Sequence, residues 1–257
     1  MKQISSRDNP TFKSLHQLVE NAREQRQRQQ TLIDGIHLLE VYCQHNGRPH
    51  AVLLAESATG NPEVMELAQR FSDTEILCLR DSLFRELSGV AAPTGIAAVI
   101  PIPVAKDSFP TQTCVLLDAV QDAGNVGSIL RTAAAAGVEH VLLGPGCAGA
   151  WTPRVLRAAQ GAHFSLTIRE QVDLQAILKQ LPMPAVATVV DVETSVYQLD
   201  LKRPVAWLFG NEGAGLSPEL TSLAALRATI PLAANTESLN VAAAVAICLF
   251  EGLRQRS

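Results

Sequence analysis

Residues 113–144 read TCVLLDAVQDAGNVGSILRTAAAAGVEHVLLG, and they contain a complete strand, helix and strand signal. The runs CVLL (114–117) and HVLL (140–143) are short, rich in Val and Leu, and do not alternate with polar residues. Strands of that kind are buried on both faces, as in a parallel sheet covered by helices. Between them, NVGSILRTAAAAG (125–137) spaces Ile129, Leu130, Ala133, Ala134 and Ala136 along one side of a helix and puts Ser128 and Arg131 on another. Two parallel strands joined by a helical crossover are the unit of an α/β fold.

Working outward, the same alternation continues through apolar runs at 164–168, 185–190, 205–209 and 228–231. Ligands of such sheets bind beyond the carboxyl ends of the strands. The loops expected there, 118–124, 144–151, 210–215 and 232–238, hold most of this region's glycines and unpaired polar residues. Upstream, strand-like runs at 31–33, 51–55, 75–79 and 95–100 alternate with helical stretches at 36–45, 62–71 and 81–87. A longer helix, 10–30, precedes them. The expectation is a small α/β domain over residues 1–103, a proline-punctuated linker at 104–112 (Pro101, Pro103 and Pro110 stand in or beside it), and a larger α/β domain over 113–257.

Composition narrows the function classes. Hydrophobic residues make up 47% of the 257, enough for well-packed cores, yet no uncharged apolar run reaches the length of a membrane span. The first residues lack the apolar stretch of a secretion signal, so a cytoplasmic protein without membrane partners is expected. Five scattered cysteines without a C-x-x-C pair fit small buried thiols, and the six histidines show no metal-ligand spacing, so no metal is expected. A net charge of −4 gives no global nucleic-acid signature. Residues 1–30 carry six basic residues against three acidic, a local +3 that suits either a solvated helix face or phosphate contact.

Three constellations carry candidate chemistry. In the first, Asn125 stands near a helix start and Arg131 two turns on; the guanidinium fork matches phosphate or carboxylate, with Glu212 a possible intramolecular partner. In the second, FGNEGAGLS (209–217), glycines permit close backbone approach while Glu212 stands on a strand-end loop. The third, IPLAANTESLNVAAA (230–244), sets Glu237, Ser238 and Asn240 at the mouth of an apolar helix, where Thr236, Ser238 and Asn240 are each possible caps. No dinucleotide fingerprint, phosphate-binding loop or nucleophile elbow is present.

In this order and spacing, the three blocks resemble the SpoU-type (TrmH) family of the SPOUT RNA methyltransferases, over roughly residues 113–253. A looser likeness joins the start of the chain, with Ile4, Asn9-Pro10 and Asp34-Gly35, to an L30e-like substrate-binding domain. The resemblance implies a C-terminal doubly wound parallel sheet tied in a deep trefoil knot. It also implies S-adenosylmethionine as cofactor, held at Gly210, Ile230 and Leu239, a homodimer through the knotted domain, and methyl transfer to a ribose 2′-hydroxyl in RNA, rRNA before tRNA. Asn125, Arg131, Glu212, Ser238 and Asn240 match the family's catalytic polar positions. Arg131 then serves as the base, or clamps a phosphate with Glu212 holding it. Where the family often has Gly, this chain has Ala234, which puts the cofactor loop in question unless φ stays negative there. A non-catalytic RNA-binding or ribosome-assembly factor is the alternative that intact polar positions argue against.

Overall fold

The computed structural model describes residues 1–105 and 108–257, and the backbone alone at Asn46; Lys106 and Asp107 of the expected linker lie outside the described residues. The chain forms two compact units. One comprises Met1–Val104 with Trp151–Phe164, the other Ala105–Ala150 with Ser165–Ser257.

The first unit runs β1 (Lys2–Ile4), α1 (Pro10–Glu20), α2 (Ala22–Arg28), β2 (Gln30–Asp34), α3 (Ile36–Asn46), β3 (Ala51–Ala55), α4 (Pro62–Gln69), β4 (Glu75–Leu79), α5 (Asp81–Ser88) and β5 (Ile96–Pro101). Its mixed sheet has the order β1-β4-β3-β5-β2, with β5 antiparallel to both neighbours. The expected single helix over 10–30 is two. At Asn21 the backbone turns extended (φ −127°, ψ 104°), and its side chain accepts the amides of Arg23 and Glu24, ending α1 and capping α2. An Asn that hydrogen-bonds its own backbone competes with helix continuation. Strand β1 was not expected, because three residues with a single buried side chain, Ile4, leave no periodic signal.

The second unit contains β6 (Cys114–Leu117), α6 (Ala123–Ala135) and β7 (His140–Leu143). After the excursion that carries α7 (Pro153–Ala159), it continues with β8 (Thr167–Arg169), α8 (Leu174–Leu178), β9 (Ala185–Thr188), β10 (Ala206–Phe209), α9 (Pro218–Leu223), β11 (Leu226–Ala228) and α10 (Val241–Arg256). All pairings in its six-stranded sheet, β11-β9-β10-β6-β7-β8, are parallel. Every residue of β6, β7 and β10 is buried, as their unalternating composition demands. Burying each such Leu or Val contributes about 1.5–3 kcal/mol before entropy is counted.

Three expectations needed correction. Trp151–Phe164, expected within the second domain from its place in the chain, packs with the first unit. The Thr31 hydroxyl donates to the Trp151 carbonyl at 2.6 Å, Arg157 donates to the Ser88 carbonyl at 2.9 Å and lies 3.7 Å from Asp34, and Phe164 meets Tyr42 edge to face at 5.4 Å. The apolar run 164–168 yields a strand only from Thr167, because residues 162–165 wind into a 3₁₀ turn. At 228–231 the strand lies earlier, at Leu226–Ala228: β11 is an edge strand with exposed Leu226 and Arg227, so it lacks the buried signature, and Pro231 has no N–H for a ladder.

Among the described residues no helix is long and apolar enough to cross a membrane, and no group of His, Cys, Asp or Glu is arranged to hold a metal ion. The five cysteines are free thiols; burial pushes those of Cys114 and Cys248 up to about 12.

Candidate active site

A cavity of about 510 Å³ opens where the chain leaves the carboxyl ends of β9, β10 and β11. Residues 188–190 follow β9, 209–216 follow β10 and 228–232 follow β11; residues 237–241 close the fourth side at the start of α10. Gly210, Ile230 and Leu239 all line it, as do Glu212, Ser238 and Asn240. Asn125 and Arg131 stand outside the lining, on α6.

The loop after β10 is built on close backbone approach. A Cβ on Gly210 would fall 2.2 Å from the Gly215 carbonyl carbon and the Leu216 nitrogen, so no side chain fits without moving backbone. Asn211 and Gly215 exchange both backbone hydrogen bonds, at 3.0 and 2.9 Å. The Asn211 side chain accepts the amides of Gly213 and Ala214 and donates to the Ala119 carbonyl at 2.8 Å, tying this loop to the one after β6. Asp118 accepts the Ser217 amide at 2.9 Å and secures its far end. Neither Asn211 nor Asp118 was singled out from sequence. The signal for Asn211 was available: an Asn entering a Gly-rich loop is the residue that makes an Asx turn.

Glu212 is thereby projected over the first turn of α6. Its carboxylate accepts the amides of Gln121 and Asp122, both at 3.2 Å, and the Asn125 side-chain amide at 3.0 Å. Burial alone would raise its pKa, but the hydrogen bonds from Asn125 and the backbone outweigh it and hold the carboxyl below its ordinary range. Asn125 also donates its own backbone N–H to Asp122, the N-cap of α6, at 2.8 Å. Its Oδ1 accepts from Asn240 Nδ2 at 2.9 Å. The Asn240 Oδ1 accepts the amides of Ala242 and Ala243 at 2.9 and 3.3 Å, which makes Asn240, and not Thr236 or Ser238, the N-cap of α10.

This relay has one allowed polarity. A carboxylate only accepts and helix amides only donate, so with Glu212 at one end and the first turn of α10 at the other, both asparagine amides have a single satisfiable orientation. The three sequence blocks meet in it. Because α10 packs along α6, the Asn125–Asn240 bond closes the end of an already adjacent helix pair.

Arg131 is exposed on α6 and makes no ion pair or hydrogen bond among the described residues. Its possible pairing with Glu212 is not made, since the carboxylate is already occupied by Asn125 and two backbone amides. Ser238 is exposed at the cavity rim and likewise makes no hydrogen bond among the described residues. Ala234 is not left-handed; that conformation falls on Asn235 (φ 70°), a residue type that tolerates it, so no glycine is required at 234. Cys147, near the Asp118 loop, donates to the Leu117 carbonyl and burial pushes its thiol up to about 11, so it supplies no thiolate.

The model of the SpoU rRNA Methylase family matches residues 112–250, more than half of the chain. The chain belongs to that family. Residues 9–98 of this SpoU chain match a second model, the MRM3-like substrate binding domain. Along 97% of its length the SpoU chain is 33% identical to the 23S rRNA (guanosine(2553)-2′-O)-methyltransferase RlmP of Bacillus subtilis, of which 98% is covered. Among solved structures, the SpoU methyltransferase AviRb from Streptomyces viridochromogenes in complex with AdoMet superposes with a TM-score of 0.88 at 27% identity, covering 96% of this chain and 98% of that one. The TrmH/SpoU tRNA modifying enzyme of A. aeolicus covers only 57% of this chain and 76% of its own, with a TM-score of 0.51 at 29% identity.

Proposed function

We propose that this protein is an S-adenosylmethionine-dependent methyltransferase that methylates a ribose 2′-hydroxyl of ribosomal RNA. The observation that carries the reading is the Glu212–Asn125–Asn240 relay at the rim of a cavity lined by Gly210, Ile230 and Leu239, in a chain aligned along nearly its whole length with an rRNA 2′-O-methyltransferase. The cavity fits the cofactor in size and chemistry: its volume is within the range of small-molecule sites, and its lining offers backbone groups and carboxylates for a cationic ligand. When bound, the cofactor would supply an electrophilic methyl group for the ribose 2′-oxygen, whose proton would pass to solvent water.

The chain's own residues then divide the work. Gly210, Ile230 and Leu239 hold the cofactor through the backbone. Glu212 fixes Asn125 and Asn240, so the polar rim is pre-ordered before substrate arrives. Arg131, with no partner among the described residues, is free to clamp an RNA phosphate and to stabilise the developing oxyanion. Ser238 has a hydroxyl to offer at the rim. The choice of rRNA over tRNA is supported by the full-length match to an rRNA enzyme against the 57% match to a tRNA-modifying one.

The reading extends to the finer architecture. The first unit acts as an L30e-like RNA-binding domain, supported by its match to a substrate-binding model. The segment from β11 to α10 forms a trefoil knot, supported by a chain that leaves an edge strand and returns to pack on α6. The protein works in the cytoplasm and as a homodimer through the second unit, the dimer supported by the outward Ala243 and Phe250 on α10, the latter 46% exposed. Mapping 2′-O-methylation across rRNA and tRNA in cells with and without the gene tests the function: loss of one rRNA position is expected, and loss confined to tRNA refutes the substrate assignment.

A further inference from the structure

Among the described residues, the ionisable side chains lining the 510 Å³ cavity are Glu212 and Glu237, and no Lys, Arg or His contributes to its wall. An adjoining cavity of about 550 Å³ shares Val190, Thr229, Ile230, Leu232 and Glu237 with it, adds Asp191, and has no cationic side chain among the described residues. Glu212 is committed to three N–H donors. Glu237 and Asp191 make no hydrogen bond or ion pair among the described residues, and Glu237 is the carboxylate common to both spaces. A wall with anionic side chains and no cationic ones favours a positively charged occupant, and an uncommitted carboxylate is the strongest such element because backbone carbonyls contribute only partial charge.

Building on the methyltransferase reading, we propose that Glu237 is the counter-charge by which this site selects the sulfonium cofactor over the product it becomes. S-adenosylmethionine carries an ammonium, a sulfonium and a carboxylate and is a net cation; S-adenosylhomocysteine keeps the ammonium and the carboxylate and is a neutral zwitterion; 5′-methylthioadenosine carries none of these charges. A carboxylate at the cavity wall stabilises the first most and the last not at all. The electrostatic attraction therefore weakens once the methyl group has left, which favours release of the product and entry of fresh cofactor. Since Glu237 is exposed, its effect is one of charge at the rim and is reduced by salt.

Calorimetric titration of the intact protein with the three nucleosides tests this. Glu237→Gln, which keeps the shape and removes the charge, is expected to weaken S-adenosylmethionine binding about five- to tenfold, to change S-adenosylhomocysteine binding by less than about twofold, and to leave 5′-methylthioadenosine unchanged. Glu237→Asp is expected to restore most of the preference, and the salt dependence of cofactor affinity is expected to flatten in the Gln variant. Equal losses for all three ligands would reveal a loop-shaping role and overturn the proposal, as would no loss for any. A wild-type protein that binds none of the three refutes the methyltransferase reading itself.

Discussion

Asn240→Asp separates the two jobs of one side chain. Asn240 caps α10 through Oδ1 and clasps Asn125 through Nδ2 at 2.9 Å. Aspartate keeps the cap, and its charge suits a helix N-terminus. The clasp is lost, because a carboxylate oxygen then faces Asn125 Oδ1. Turning the Asn125 amide over does not help: its oxygen would then face Glu212, which accepts only, so the conflict moves one link along. The lost bond is solvent-exposed, so its net contribution is about 0.5–1 kcal/mol. For a protein of this size that corresponds to a fall of about 2 °C in midpoint. Asn240→Ala removes cap and clasp together and should cost about 2 kcal/mol. Urea unfolding of both variants and of Asn125→Ala, run as a double-mutant cycle with Asn240→Ala, measures the coupling directly. If the Asp variant matches wild type in stability and in methyl transfer, or the cycle shows no coupling, the relay does not order the site.

The remaining predictions concern the loops, the free arginine and a buried acid. Gly210→Ala must displace the Gly215–Leu216 backbone by on the order of 1 Å, at a cost of about 1–3 kcal/mol, and should weaken cofactor binding in a calorimetric titration. Because Arg131 has no ion-pair or hydrogen-bond partner among the described residues, Arg131→Lys should change stability by less than about 0.5 kcal/mol while cutting methyl transfer about 100-fold; near-full activity would count against the phosphate clamp. Asp34 has its pKa raised above the ordinary 3.8 by burial, against the Ser88 hydroxyl and Arg157, and its Oδ1 is buried with no hydrogen-bond partner among the described residues. The folded protein therefore holds this proton to higher pH than the unfolded chain does, and stability falls as pH rises from near 3.8 through the higher folded value. Asp34→Asn should flatten that decline in pH-dependent thermal unfolding, and an unchanged slope would refute the assignment.

The parallel sheet was legible because strands buried on both faces must be apolar at every position, and CVLL and HVLL became β6 and β7 residue for residue. Elements with weaker burial were not. The edge strand β11 hid behind exposed Leu226 and Arg227, and the break in the first helix hid in a local hydrogen bond from Asn21. At the site, sequence singled out Glu212, Asn125 and Asn240 as separate candidates, and the one pairing it considered for Glu212 was with Arg131. Charge complementarity made that attractive, but it is geometry that decides: the β10 loop aims Glu212 at the amide end of α6, while Arg131 stands two turns away on an exposed face.

The sequence by itself determined the alternation of strand and helix and the three polar blocks, since these follow from local burial pattern and residue type. Tertiary structure alone decided that Trp151–Phe164 packs with the first unit, that Asn211 and Asp118 brace the loop, and that Asn125 and Asn240, 115 positions apart, share a hydrogen bond. Side-chain hydrogen bonds act over about 3 Å, and which groups come within that reach depends on how a parallel sheet gathers its loops at one edge. Helix α10 shows the division: its apolar run and polar mouth were visible in the sequence, but only the position of α6 beneath it made Asn240 both a cap and a clasp.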